Sequence, residues 1–153
     1  MGSQTMLIDV HAHALSDDVV RRMVKTPGFG WPLEVTGPNR YRYAGGSPLD
    51  PLIYDVGARL DVMKRRGVTL QLLSPPPSVI ANGDKVVSLD EARIFNESTA
   101  WLVAHGDGRL AGFAVPALGE PAIAADELRR AIDRHGFVGV VLSSAAGPLP
   151  LDH

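Results

Sequence analysis

The chain has 153 residues, of which 45% are hydrophobic and 21% charged, ordinary usage for a folded domain that excludes a disordered chain. A formal net charge of −2 leaves no basic surplus for nucleic acid or an anionic membrane surface, and no apolar run reaches membrane-spanning length. With no cysteine present, a disulfide scaffold, a zinc–cysteine site and a thiol nucleophile are excluded, and a reducing, cytoplasmic setting fits.

A single domain over 1–153 is expected at this length. Met6 to Val10 is a short apolar run that ends in His11, Ala12 and His13, the pattern of a buried strand with a polar end. The segment 28–48 is rich in Gly and Pro yet carries Phe29, Trp31, Tyr41 and Tyr43. So many aromatics mark an inserted segment and not a linker, and the alternation Tyr41-Arg42-Tyr43 suggests a small hairpin. Asp50 as N-cap and Pro51 at the first helical position open a helix. Its apolar stripe is Leu52, Val56, Leu60 and Met63, and Gly67 closes it. Val68 to Leu73 is a second strand, stopped by Pro75, Pro76 and Pro77. Ser88 and Glu91 form a capping box ahead of a long helix ending near Gly106. Leu110 to Val115 is a third strand, Pro121 to His135 a helix ended by Gly136, and Phe137 to Leu142 a fourth strand followed by a loop at Ser143 to Pro148.

Four apolar strands separated by helices imply parallel pairing, in a doubly wound sheet or a (β/α)₈ barrel. No Gly-rich phosphate fingerprint follows the first strand, which weakens the nucleotide-binding sheet. A complete barrel needs roughly 200 residues or more, so a barrel here would be about its first four βα units.

His11 and His13 stand two apart on a strand, so their side chains share one side. At the C-terminal end of an inward-packed strand that side faces the barrel mouth, where two neutral imidazoles suit a divalent metal. Arg59 falls in the middle of the apolar stripe of its helix, and a buried guanidinium needs an anionic partner. Trp31, Tyr41 and Tyr43 could lid a planar ligand or form a small core under the insertion. Ser74 ends the second strand and is placed to line a pocket. Asn96 is expected to tie a neighbouring loop.

Asp9-Val10-His11-Ala12-His13 resembles the first-strand signature of the amidohydrolase superfamily. Further stretches resemble its amidohydrolase-related branch, which includes aminocarboxymuconate semialdehyde decarboxylase and γ-resorcylate decarboxylase. They are Tyr54 to Met63, Gly67 to Ser74, Asn96, Arg109 to Pro116 and Gly136 to Val140. The resemblance implies a metal-dependent hydrolase-type TIM barrel with His11 and His13 as metal ligands. It implies one divalent ion, zinc first, with manganese or iron as alternatives. A further histidine and the acid–base carboxylate would lie beyond His153. Arg59 matches an arginine that binds a substrate carboxylate, and Trp31 would sit near the mouth.

The implied activity of the complete enzyme is non-oxidative decarboxylation of an unsaturated or aromatic carboxylic acid, a small-molecule substrate. The alternatives are metal-dependent hydrolysis of a lactone or amide, and an inactive barrel fragment that needs a partner half. Exposed edges of the first and fourth strands would also drive association, in the simplest case as a homodimer.

Overall fold

The computed structural model describes residues 6–80, 86–146 and 149–150. In chain order the elements are β1 (Leu7–His13), α1 (Asp17–Lys25), β2 (Leu33–Gly37), β3 (Arg40–Tyr43), a 3₁₀ turn at Pro51–Ile53, α2 (Val56–Arg66), β4 (Val68–Ser74) and α3 (Pro77–Ile80). There follow α4 (Leu89–Ala104), β5 (Leu110–Ala114), α5 (Pro121–His135), β6 (Gly139–Val140), β7 (Ala145–Ala146) and β8 (Leu149–Pro150).

Strands β1, β4, β5 and β6 form one parallel sheet in that spatial order, each beside the next in sequence. The register pairs Leu73 with Gly112, so Leu73 and Ala114 share a face. Leu73 packs with Met63 of α2 and Leu102 of α4, while Ala114 packs with Ala131 of α5. Helices α2, α4 and α5 therefore all cover the same face. A doubly wound sheet would reverse its strand order and carry helices on both faces. Sequential order with one-sided coverage is the barrel arrangement, and the chain forms about four βα units of it.

Local chemistry explains the helix ends. Asp55 accepts from the Ala58 N–H at 3.0 Å and caps α2, and Ser88 with Glu91 forms a complete capping box on α4. Gly67 and Gly136 end α2 and α5 at φ of 69° and 66°, a left-handed conformation that costs glycine nothing.

Four expectations change. The helix expected from Asp50 to Gly67 is two pieces: Asp50 caps only the 3₁₀ turn through Leu52 N–H at 2.9 Å, and Asp55, itself extended, starts a new helix. Helix α1 was not anticipated, although Ser16, Asp17 and Asp18 stand at its start and Val19, Val20 and Met23 form its buried stripe. The fourth strand shrinks to Gly139–Val140, with single ladder bonds from Val138 N–H and Val141 N–H on either side. The first strand is not buried throughout. Ile8 and Val10 are 43% and 63% exposed, because nothing among the described residues covers that face.

The aromatic segment forms the antiparallel hairpin β2–β3. Tyr41 is buried, its hydroxyl donating to Asp17 Oδ1 at 2.6 Å, and it packs in one core with Val20, Met23 and Phe95. Tyr41 thus joins the large core shared with α1 and α4, where the sequence suggests a lid or a small separate core.

Asn96 of α4 is fully buried, and it accepts from Val115 N–H at 2.8 Å and donates to Val115 C=O at 3.1 Å. Its amide thus pins the chain just past β5, the loop-tying role expected of it. Asn96→Ala should lower stability by at least about 2 kcal/mol, since both Val115 backbone groups lose their partner. Urea unfolding measures this; a change under about 0.5 kcal/mol would mean that water restores the bonds.

Candidate metal centre

Strand β1 does not alternate evenly. Asp9 pairs with Gln71, but Ala12 pairs with Leu73, so three steps along β1 match two along β4. One extra residue is accommodated as a β-bulge between Asp9 and Ala12. The consequence is a change of face. Asp9 lies on the helix-covered side beside Gln71, whereas His13 pairs with Ser74 on the other side. Regular alternation from Asp9 would have sent both histidines into the helices.

The imidazoles of His11 and His13 meet edge to face with centroids 4.7 Å apart. His11 is exposed and His13 half-buried. Ser74 is buried, with its Oγ 3.2 Å from His13 Nδ1. In the tautomer whose Nδ1–H donates to this hydroxyl, the Nε2 lone pair is free for a metal. Burial, then the neighbouring His11, lowers the His13 pKa from its ordinary value; backbone acceptors at Ser74 and Pro75 oppose the shift without cancelling it. Two imidazoles on one strand suit zinc or iron, and manganese would need oxygen donors beside them. Among the described residues, no group of three or more His, Cys, Asp or Glu side chains is placed to hold a metal.

Arg59 is buried at 7% exposure, and burial lowers its guanidinium from the ordinary value against the charges of Asp9 and Asp50. The guanidinium contacts among the described residues are all within the chain. Nη1 donates to Gln71 Oε1 at 2.5 Å, and Nη2 donates to the carbonyls of His13, at 2.6 Å, and Leu52. Gln71 and Asp9 share the helix side, so the guanidinium lies behind the sheet from the imidazoles. The helical stripe signalled its burial but not these partners, because Leu52 belongs to the 3₁₀ turn and not to the helix.

Trp31 is half-buried and donates to Ser78 Oγ at 3.0 Å while meeting Tyr43 edge to face at 5.4 Å. Since Ser78 follows Ser74 closely, the indole sits at the same end of the sheet as His13, but its partners are not the histidines. His105 stacks on Trp101, and His135 contacts Glu97 and Phe137; both stand at helix C-termini, away from the pair, as expected from the dipole. Asp9 and Gln71 were missed as site-building residues. Each is a polar residue in the middle of an apolar strand, which was the available signal.

The family model described as Amidohydrolase matches residues 8–153. The γ-resorcylate decarboxylase of Rhodococcus jostii strain RHA1 is 33% identical over 95 residues, which is 61% of this chain and 29% of the relative. The crystal structure of a 5-carboxyvanillate decarboxylase from Sphingomonas paucimobilis superposes with a TM-score of 0.66 at 26% identity, covering 97% of this chain and 45% of that one. A dihydroxybenzoic acid decarboxylase from Polaromonas sp. JS666, solved with bound manganese and an inhibitor, shares the fold at a TM-score of 0.61 and 22% identity, over 91% of this chain and 38% of that one. The chain thus spans less than a third of the curated relative and under half of these structures.

The His13 shift has a signed consequence. The folded protein holds this proton less readily than the unfolded chain, so stability is full above about pH 6.5 and falls as pH drops through the lowered folded value. The thermal midpoint should therefore fall between about pH 7 and about pH 5, and fall less in His13→Gln. Equal slopes in the two proteins would assign the pH dependence to other groups.

Proposed function

The chain belongs to the amidohydrolase family, and on that premise we propose that it carries the first-strand part of a divalent-metal site for non-oxidative decarboxylation of an aromatic carboxylic acid. The observation that carries the reading is the pair His11/His13, turned by a bulge to one face at the C-terminal strand ends. The decarboxylases among the relatives support the reaction type. The manganese of one relative supports a divalent ion, and two imidazoles by themselves suit zinc.

In this reading His11 and His13 hold the metal, with Ser74 orienting the His13 ring through Nδ1. A bound divalent ion would supply a Lewis acid that fixes and polarises an oxygen of the substrate. Decarboxylation breaks the bond between the ring carbon and the carboxylate; carbon dioxide leaves and the ring carbon takes up a proton. Asp9 is not placed to deliver that proton, since both its oxygens are engaged on the far side of the sheet by Gln71 Nε2 and the His11 N–H. Trp31, at the same end of the sheet, is proposed as an apolar wall for the aromatic ring.

Elemental analysis of protein grown with zinc and manganese should find about one divalent ion per chain, lost in the double variant His11→Ala/His13→Ala. Carbon dioxide release from hydroxylated benzoates should follow the same pattern. Stoichiometric metal in the double variant would overturn the assignment of the pair. Metal bound by the pair with no release from any such acid would overturn the reaction instead.

A further inference from the structure

We propose that Arg59, Gln71 and Asp9 form a positioning relay that aims the His11/His13 pair from behind the sheet, an inference that rests on reading the pair as metal ligands. A bulge takes an extra residue out of the ladder, so something other than strand pairing must hold it. Here the holding bonds form a chain. Arg59 Nη1 donates to Gln71 Oε1 at 2.5 Å, Gln71 Nε2 donates to Asp9 Oδ2 at 2.7 Å, and Asp9 Oδ1 accepts from the His11 backbone N–H at 3.1 Å. The same guanidinium returns to the His13 carbonyl at 2.6 Å. Both histidines are thereby gripped by their backbones from one side while their rings emerge on the other.

The residue types follow from this task. Position 71 must accept from a cation and donate to an anion at once, and a primary amide does both. A carboxylate there would repel Asp9, and an apolar side chain would strand two charges behind the sheet. The planar guanidinium serves acceptors from three separate segments, the carbonyls of His13 and Leu52 and the Gln71 amide, which a single ammonium could not reach at fixed angles. The hydrogen bonds from these three side chains to the histidines go to backbone atoms. The three act through the histidine backbones, as positioning residues.

The test uses Gln71→Met, of similar length and without hydrogen bonds, and Asp9→Asn, of the same size without the charge. Three readouts are taken: thermal unfolding, affinity for Zn²⁺ by calorimetric titration, and the proton nuclear Overhauser contact between the two imidazoles. Both variants should fold, Gln71→Met with a lowered thermal midpoint, bind Zn²⁺ about tenfold or more weakly, and lose the contact between the rings. Wild-type affinity and an intact contact in the folded variants would overturn the relay. Unfolding of both variants would make it a stability element and overturn the positioning role. If His11→Ala/His13→Ala binds Zn²⁺ as the wild type does, the metal reading falls. The relay is then decided by the inter-ring contact alone, lost if it positions the pair and kept if it does not.

Discussion

Each crossover in the sheet delivers the chain to the adjacent strand from the same side, and the rest of the structure depends on that constraint. Right-handed βαβ connections that always advance in one direction stack α2, α4 and α5 on a single face. That face collects the close-packed small and branched residues Ala12, Leu73 and Ala114. The opposite face receives whatever alternation leaves over. On β1 alternation alone would leave the histidines on the wrong side. The bulge at Asp9–Ala12 is therefore the point where strand geometry and site chemistry meet, and a bulge beside a functional site is a recurrent device for re-aiming side chains.

Two buried ionic networks show how such geometry is held. In one, Glu127 of α5 is buried among Arg93, Asn96 and Arg130. Burial alone would push its carboxyl up, but Arg130 and Asn96 outweigh it and hold the group below the ordinary range. That network joins α4 to α5 and, through Asn96, to the end of β5. In the other, the cation Arg59 and the anion Asp9 are separated by the Gln71 amide and do not touch. Among the described residues no buried side-chain polar atom lacks a hydrogen bond, and a half-satisfied relay would be worse than an apolar one.

Much of this was legible in the sequence because it is local. The capping box at Ser88/Glu91, the glycines that end α2 and α5, and the alternation at Tyr41-Arg42-Tyr43 are each decided within a few residues. So is the shared side of His11 and His13. What stayed illegible is non-local or competitive. Asp50 and Asp55 are both good caps five residues apart, and periodicity alone does not say which one starts the α-helix. The bulge exists only relative to β4, so no reading of β1 by itself contains it. Arg59 lay on the expected stripe, but its partners come from β1, β4 and the 3₁₀ turn, and a period cannot name residues on other elements. The fourth strand read as six apolar residues, yet Phe137 turns into the helices and only the centre reaches β5.

The bonds described around the histidine pair come from β1, the 3₁₀ turn, α2, β4 and the residue after it, that is, from residues 9–75. The arrangement of these two rings is thus settled by the first crossover and is insensitive to what packs along β6, at the far edge of the sheet. A metal needs more than a strand pair can give, since two imidazoles leave at least two positions of a tetrahedral ion open. Further donors cannot approach from the helix side, where the relay and its packing fill the space. In the proposed reading they would come across the face that bears Ile8 and Val10, which is exposed. The exposed apolar side chains on β1 and the two imidazoles therefore share one feature: both lie on the side that the sheet's own helices leave open.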